Sequence, residues 1–181
     1  MRCQAKGFGK AAPAESESAA TVCPCGGGTA SLPFSRCCKP FHSRTAVPAT
    51  PVALLRSRFS AYSKGLGEYV VATTHPDNAA LKAGGSRGTD GKLLSTFAAD
   101  VKANASFLRF SQLAVLSEVP GPLTWQVRFQ YEVVVVNQDG FGSRPSARER
   151  VTETSVFTRA TAEAPWLFLD SAEVHKEKLS V

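Results

Sequence analysis

Between Cys23 and Cys38 the chain places four of its five cysteines, as Cys23-Pro-Cys25, an eleven-residue loop, and then Cys37-Cys38. Cys23 and Cys25 lie too close for an easy bridge to one another, and nothing in the sequence resembles a secretory signal. Metal-bound thiolates in a reducing compartment therefore fit better than a disulfide framework. Zinc takes four thiolate or imidazole ligands in a tetrahedron, and a closed set of four is structural rather than catalytic. The candidate ligands are Cys23, Cys25, Cys37 and Cys38, with His42 as the alternative fourth ligand. Gly26, Gly27 and Gly28 let the backbone fold around the ion and turn N–H groups toward the sulfurs. Few apolar residues accompany them beyond Leu32, Phe34 and Phe41, so the segment needs the energy of metal binding to fold. The competing reading is free thiols or a redox pair at the same positions.

The 181 residues leave room for one further domain of ordinary size. A hydrophobic fraction of 43% and a charged fraction of 20% exclude a wholly disordered chain. No apolar run approaches the roughly 20 residues of a membrane helix, so a soluble chain without a membrane span is expected. The net charge of +6 is unevenly placed: residues 1–64 hold nine Lys and Arg against Glu15 and Glu17, and the remainder is nearly balanced. Such a bias is the footprint of an acidic protein or nucleic-acid partner, or else of a solubilising or targeting segment. Residues 1–22, basic first and then rich in Ala and Ser, read as a disordered or targeting remnant. They suggest the stroma or matrix of a chloroplast or other organelle, with the cytoplasm as the alternative compartment.

From Thr50 the pattern changes. Thr50-Pro51 is an N-cap and first-turn pair, and Val52, Leu55, Phe59 and Tyr62 recur at helical spacing until Lys64-Gly65 stops the run. A second helix is expected from Leu66 to Thr73, ending before His75-Pro76. Residues 77–91, with Gly84-Gly85, read as a loop, and a third helix is expected from about Lys92 to Lys102 with Leu93, Leu94, Phe97 and Val101 on one face. After Asn104 the period becomes two, most clearly from Leu123 to Val135, where Trp125, Val127, Phe129 and Tyr131 face a core and Gln126, Arg128, Gln130 and Glu132 face water. Further strands are expected at 106–118, 148–159 and 166–174, with a loop at 137–147. Trp125 and Trp166 belong to the core. Helices followed by an antiparallel meander make an α+β domain spanning 50–175.

Cys23-Pro-Cys25-Gly-Gly with Cys37-Cys38 resembles the SEC-C zinc motif found at the tail of the bacterial SecA translocation motor. The segment that follows, Leu54-Leu55-Arg56-Ser57-Arg58-Phe59-Ser60-Ala61-Tyr62, then Tyr69 and Thr74-His75-Pro76, resembles the YchJ family. The resemblance implies a SEC-C-like zinc module over 23–46. It also implies a nuclear-transport-factor-2-like (NTF2-like) domain, a cone of curved antiparallel sheet capped by helices. The loop between the cysteine pairs is longer than is usual for the motif. No reaction is implied.

Within a cone, His75 is the weak candidate for a general base, since imidazole titrates near neutral pH. Its alternative is a cap at a helix end. Arg56 and Arg58 cannot share a helix face, so one enters the domain, as a buried ion pair, while the other meets solvent or the zinc module. Glu149, Glu153 and Asp170 are candidates for a paired-carboxylate site, without a spacing that brings them together. The leading expectation is a zinc-binding adaptor that meets a protein partner through the zinc module. A small enzyme using His75 and an acid such as Asp170, and an RNA-binding accessory protein, are the alternatives.

Overall fold

The computed structural model describes residues 22–139 and 142–180, so the readings of residues 1–21 lie outside the described residues. Two short 3-10 turns, Gly28–Ala30 and Phe34–Arg36, precede helices α1 (Lys39–His42), α2 (Pro51–Lys64), α3 (Gly67–Ala72), α4 (Ala79–Ala83) and α5 (Phe97–Phe107). Strands β1 (Leu108–Val119), β2 (Thr124–Asp139), β3 (Gly142–Thr158) and β4 (Leu167–Leu179) follow, and pair antiparallel in sequence order. The expected α+β architecture, helices and then a curved four-stranded meander, is what forms.

Local signals account for α2. Thr50 Oγ1 accepts the Ala53 N–H at 3.1 Å, Pro51 occupies the first turn, and Gly65 ends the helix at φ 66. Unlike an ordinary amphipathic helix, α2 is buried on several sides: Leu54, Leu55, Ser57, Arg58, Phe59, Ser60 and Ala61 are all buried. Leu54 and Leu55 pack with Val127, Phe129, Phe157 and Trp166 in the main core, while Ala61 packs with Tyr69, Val70 and Val101. Phe59 turns instead toward the cysteines. Trp166 is buried and Trp125 half-buried against it, edge to face at 5.9 Å, as expected of core tryptophans.

Register shifts curve the sheet. They interrupt β1 against β2 between Ser111 and Ala114, β2 against β3 between Val135 and Val136, and β3 against β4 between Thr154 and Ser155. Each inserts or offsets a residue and so sharpens the local twist. The end of α3 is tied to the start of β4, with the His75 N–H donating to Phe168 O at 2.8 Å and the Phe168 N–H to Thr73 O at 2.9 Å.

Four expectations are corrected. The third long helix begins at Phe97, not near Lys92, because Thr96 Oγ1 accepts the Ala99 N–H and caps it there. Leu93 and Leu94 therefore do not lie on its buried face; they are 45% and 70% exposed, and the Leu94 N–H donates to Ser86 O instead. The 77–91 loop contains α4, capped by Asn78, whose Oδ1 accepts the Leu81 N–H. Residues 137–147 are mostly strand: β2 runs to Asp139 and β3 resumes at Gly142, because ladder hydrogen bonding carries a twisted hairpin past the point where hydrophobic alternation fades. Glu132, expected to face water, is buried; Arg148 reaches its Oε2 at 2.6 Å and Arg150 its Oε1 at 3.2 Å across the β2–β3 pair.

Candidate functional site

The segment before α2 folds back on itself. The Cys23 N–H donates to Leu32 O at 3.0 Å, the Leu32 N–H to Gly27 O at 3.1 Å, and the Gly26 N–H to Cys23 O at 2.8 Å. Gly27 takes φ +67, and a Cβ there would stand 2.3 Å from Leu32 N, so the turn admits only glycine. On the far side the Phe41 and His42 N–H groups both donate to Cys38 O.

These two folds bring four sulfurs together. Sγ of Cys23, Cys25, Cys37 and Cys38 all lie within 4.8 Å of one another, with Cys25–Cys37 at 3.5 Å, Cys25–Cys38 at 3.6 Å and Cys37–Cys38 at 3.8 Å. A disulfide needs about 2.05 Å, so no two of the four are bridged to one another. A metal–sulfur bond of about 2.3 Å gives a tetrahedral edge of about 3.8 Å, close to these separations. Cys23, Cys25 and Cys38 are buried. Hydrogen bonds from Cys25 and Cys38 draw the Cys23 thiol well below the ordinary range. Burial, then the neighbouring sulfurs, pushes Cys37 up to about 12. Cys38 is raised as well, by its hydrogen-bond contacts with Cys23 and Cys25 and by burial. Four crowded thiols resist ionising together, and a bound cation removes that resistance. The cluster is able to hold a metal.

His42 stands apart from it. Its Nε2 donates to Ser57 O at 2.9 Å and its ring packs on Tyr69 at 4.6 Å and Phe34 at 5.4 Å, leaving Nδ1 buried without a partner. The cluster is seated on α2 by contacts the sequence did not announce. Arg56 Nη1 donates to Cys25 O at 3.0 Å, the Cys38 thiol to Arg56 O at 3.6 Å, and Ser60 Oγ lies 3.7 Å from Cys23 Sγ. Arg56 is thus the arginine that meets the cysteine module. Arg58 enters the domain, but not as the expected ion pair. Nη1 donates to Val70 O, Thr73 Oγ1 and Thr74 Oγ1, and the guanidinium lies over the Phe168 ring at 4.6 Å. Neutral oxygens and a π-face take the contacts of the guanidinium, and Glu153 adds only a through-space attraction. Burial holds its affinity for the proton below the usual guanidinium range.

Between the sheet and the helices lies a cavity of about 530 Å³. It takes in Arg58, Asn78, Tyr131, Glu153, Asp170 and Ser171, with aromatic rings around them. His75 is not among its lining residues. His75 Nδ1 accepts the Asp77 N–H at 3.1 Å, the capping geometry weighed against a catalytic role. Of the three acids, Glu153 and Asp170 reach the cavity and Glu149 does not. The signal was present in the period of two: Glu153, Ser155 and Phe157 share one face of β3.

A family model described as YchJ, middle NTF2-like domain, matches residues 50–171. A UPF0225 protein of Serratia proteamaculans is 54% identical over 56 residues, which is 31% of this chain and 34% of that protein. A UPF0225 protein of Ralstonia nicotianae is 48% identical over 67 residues, 37% of this chain and 42% of that protein. The chain thus aligns with about a third to two-fifths of the length of these curated relatives. Among solved structures, a SEC-C motif containing protein from Psychrobacter arcticus superposes with TM-score 0.59 at 23% identity, covering 90% of this chain and 86% of that one. Another, from Rhodopseudomonas palustris, gives 0.51 at 24%, covering 83% and 94%. At these identities the likeness is one of fold. Among the described residues no helix is long and apolar enough to cross a membrane.

Proposed function

The chain belongs to the YchJ-like family, and from that premise we propose that it is a zinc-stabilised adaptor. In this reading residues 23–46 are a zinc module, residues 50–175 are the cone domain that carries it, and the module meets an acidic segment of a protein partner. Cys23, Cys25, Cys37 and Cys38 hold one structural zinc, and His42 braces the module against Ser57 from outside the ligand set. The observation that carries the reading is the four-sulfur cluster, with tetrahedral spacing, built onto the face of α2.

Charge favours the acidic partner. Residues 22–67 contain Arg36, Lys39, Arg44, Arg56, Arg58 and Lys64 and no Asp or Glu. Arg36, Lys39, Arg44 and Lys64 are exposed. Such a field steers acidic ligands and loses force with salt. The catalytic alternative is weakened by the place of His75 outside the cavity. RNA binding draws on the same cations and is separated from the adaptor reading by the test below. The organelle reading of residues 1–22 gains nothing from the relatives, which are bacterial.

The first test is metal content by mass spectrometry on protein purified without nickel affinity, with thiols titrated before and after a chelator. One zinc per chain, and thiols released on chelation, is the expected result; four reactive thiols and no metal would sink the reading. The second is affinity for a polyglutamate peptide and for a single-stranded RNA of equal charge across a salt series. The adaptor reading expects the peptide to bind more tightly, and Arg36→Glu with Arg44→Glu to abolish binding while His75→Ala leaves it unchanged. Preference for RNA, with affinity falling steeply in salt, would favour the nucleic-acid reading.

A further inference from the structure

We propose that the cavity of the cone domain is a binding site for a small organic cation, an amine on an apolar or aromatic body, whose charged group pairs with Glu153. Ser155 Oγ and Ser171 Oγ each donate to Glu153 Oε1 at 2.6 Å. They fix the plane of the carboxylate and occupy one of its oxygens; Oε2 has no donor among the described residues. An ionised oxygen held in a half-buried wall is costly unless a donor reaches it.

The charge balance of the wall names the sign of that donor. Glu153 and Asp170 line the cavity together with one cation, Arg58, and no Lys or His. Arg58 is already engaged by Val70 O, two threonine hydroxyls and the Phe168 face, so it is not free to take an anion from the cavity. With Asp170 open to solvent, the half-buried negative charge of the wall is that of Glu153, which Arg58 attracts only through space, so its second oxygen is left for a monocation. The remaining wall suits the body of such a ligand. Phe59, Phe110 and Tyr131 stand 5.9–6.2 Å apart, ring to ring, in tilted and edge-on arrangements. Aromatic faces attract an ammonium as well as burying apolar surface. The volume of about 530 Å³ lies within the range of small-molecule sites. The cavity shares no ligand residue with the four-sulfur cluster, so this inference stands or falls separately from the zinc reading.

The test uses the full chain, with zinc present, and a panel of arylalkylamines headed by phenethylamine. The uncharged isostere phenethyl alcohol and the anion phenylacetate serve as comparisons. Calorimetry is expected to give the amine an affinity at least roughly tenfold above the alcohol and the anion, with NMR shifts centred on Ser155 and Ser171. In Glu153→Gln, which keeps an oxygen for both serine hydroxyls, the advantage should fall to within about threefold while the melting temperature holds. Should that variant unfold, Asp170→Asn replaces it, since its exposed carboxylate carries the same net charge and a weakened preference is expected there too. The proposal is overturned if the alcohol or anion binds as well as the amine, if the preference survives Glu153→Gln, if the shifts map elsewhere, or if no amine of the panel binds at millimolar concentration.

Discussion

Arg58 shows how this chain buries a full charge. With 5% of its surface exposed, it relies on Val70 O, Thr73 Oγ1 and Thr74 Oγ1 and on the Phe168 and Tyr62 rings. Removing it strands those acceptors and empties space between α2, α3 and β4. Arg58→Ala is expected to lower stability by about 2–4 kcal/mol, read from urea denaturation. Gly27 carries the opposite kind of constraint, in its backbone. Gly27→Ala places a Cβ against Leu32 N at a left-handed φ, so the loop bearing Cys23 and Cys25 must open. The expected outcome is a several-fold loss of bound metal, measured by mass spectrometry, with the far-ultraviolet circular dichroism of the sheet retained.

At the scale of elements, the β2–β3 pair is locked by one carboxylate between two guanidiniums. Hydrogen bonding from Arg148, and then Arg150, holds Glu132 below the usual carboxylate range. A depressed folded-state value means that the unfolded chain binds the proton more readily. The contribution is therefore complete above the unfolded value of about 4.3 and is lost as pH falls through the folded one. The stability difference between the wild type and Glu132→Gln should be constant from about pH 6 to 8 and shrink below about pH 4. A difference that grew on acidification would contradict the arrangement. Helix α2 joins the sheet, α3 and the cysteine segment. One side meets the sheet through Leu55, another meets α3 through Ser57, whose Oγ is 2.7 Å from Tyr69 Oη, and a third meets the cysteines through Arg56 and Ser60.

Helix α2 puts the cysteine segment and the sheet in contact with one common element. A module joined only by a linker would lose metal without consequence for its neighbour; here Cys25 O and Cys23 Sγ are partners of α2. Treating the zinc-loaded protein with a chelator is expected to lower the melting temperature of the sheet signal itself, in one transition, and re-addition of zinc should restore it. A cysteine-segment transition separate from an unmoved sheet transition would show that the two parts are independent.

What could be read along the chain was whatever rests on near neighbours. The cap at Thr50, the stop at Gly65, the alternation from Trp125 to Tyr131 and the pairing of Cys23-Cys25 with Cys37-Cys38 all depend on residues within a few positions or one short loop. The family resemblance led to the same cone, and the match over residues 50–171 bears it out. The tertiary structure alone decided the features that rest on distant partners. Glu132 is buried because Arg148 and Arg150 arrive from the next strand, and Ser171 meets Glu153 only through the β3–β4 register. The sequence offered His75 as a general base or a helix-end cap and His42 as an alternative fourth metal ligand. The fold spends one as a cap on Asp77 and the other on the carbonyl of Ser57. A side chain's neighbours along the chain fix its conformation cheaply, but its charge, burial and chemical use are set by groups that only chain closure brings within hydrogen-bond reach.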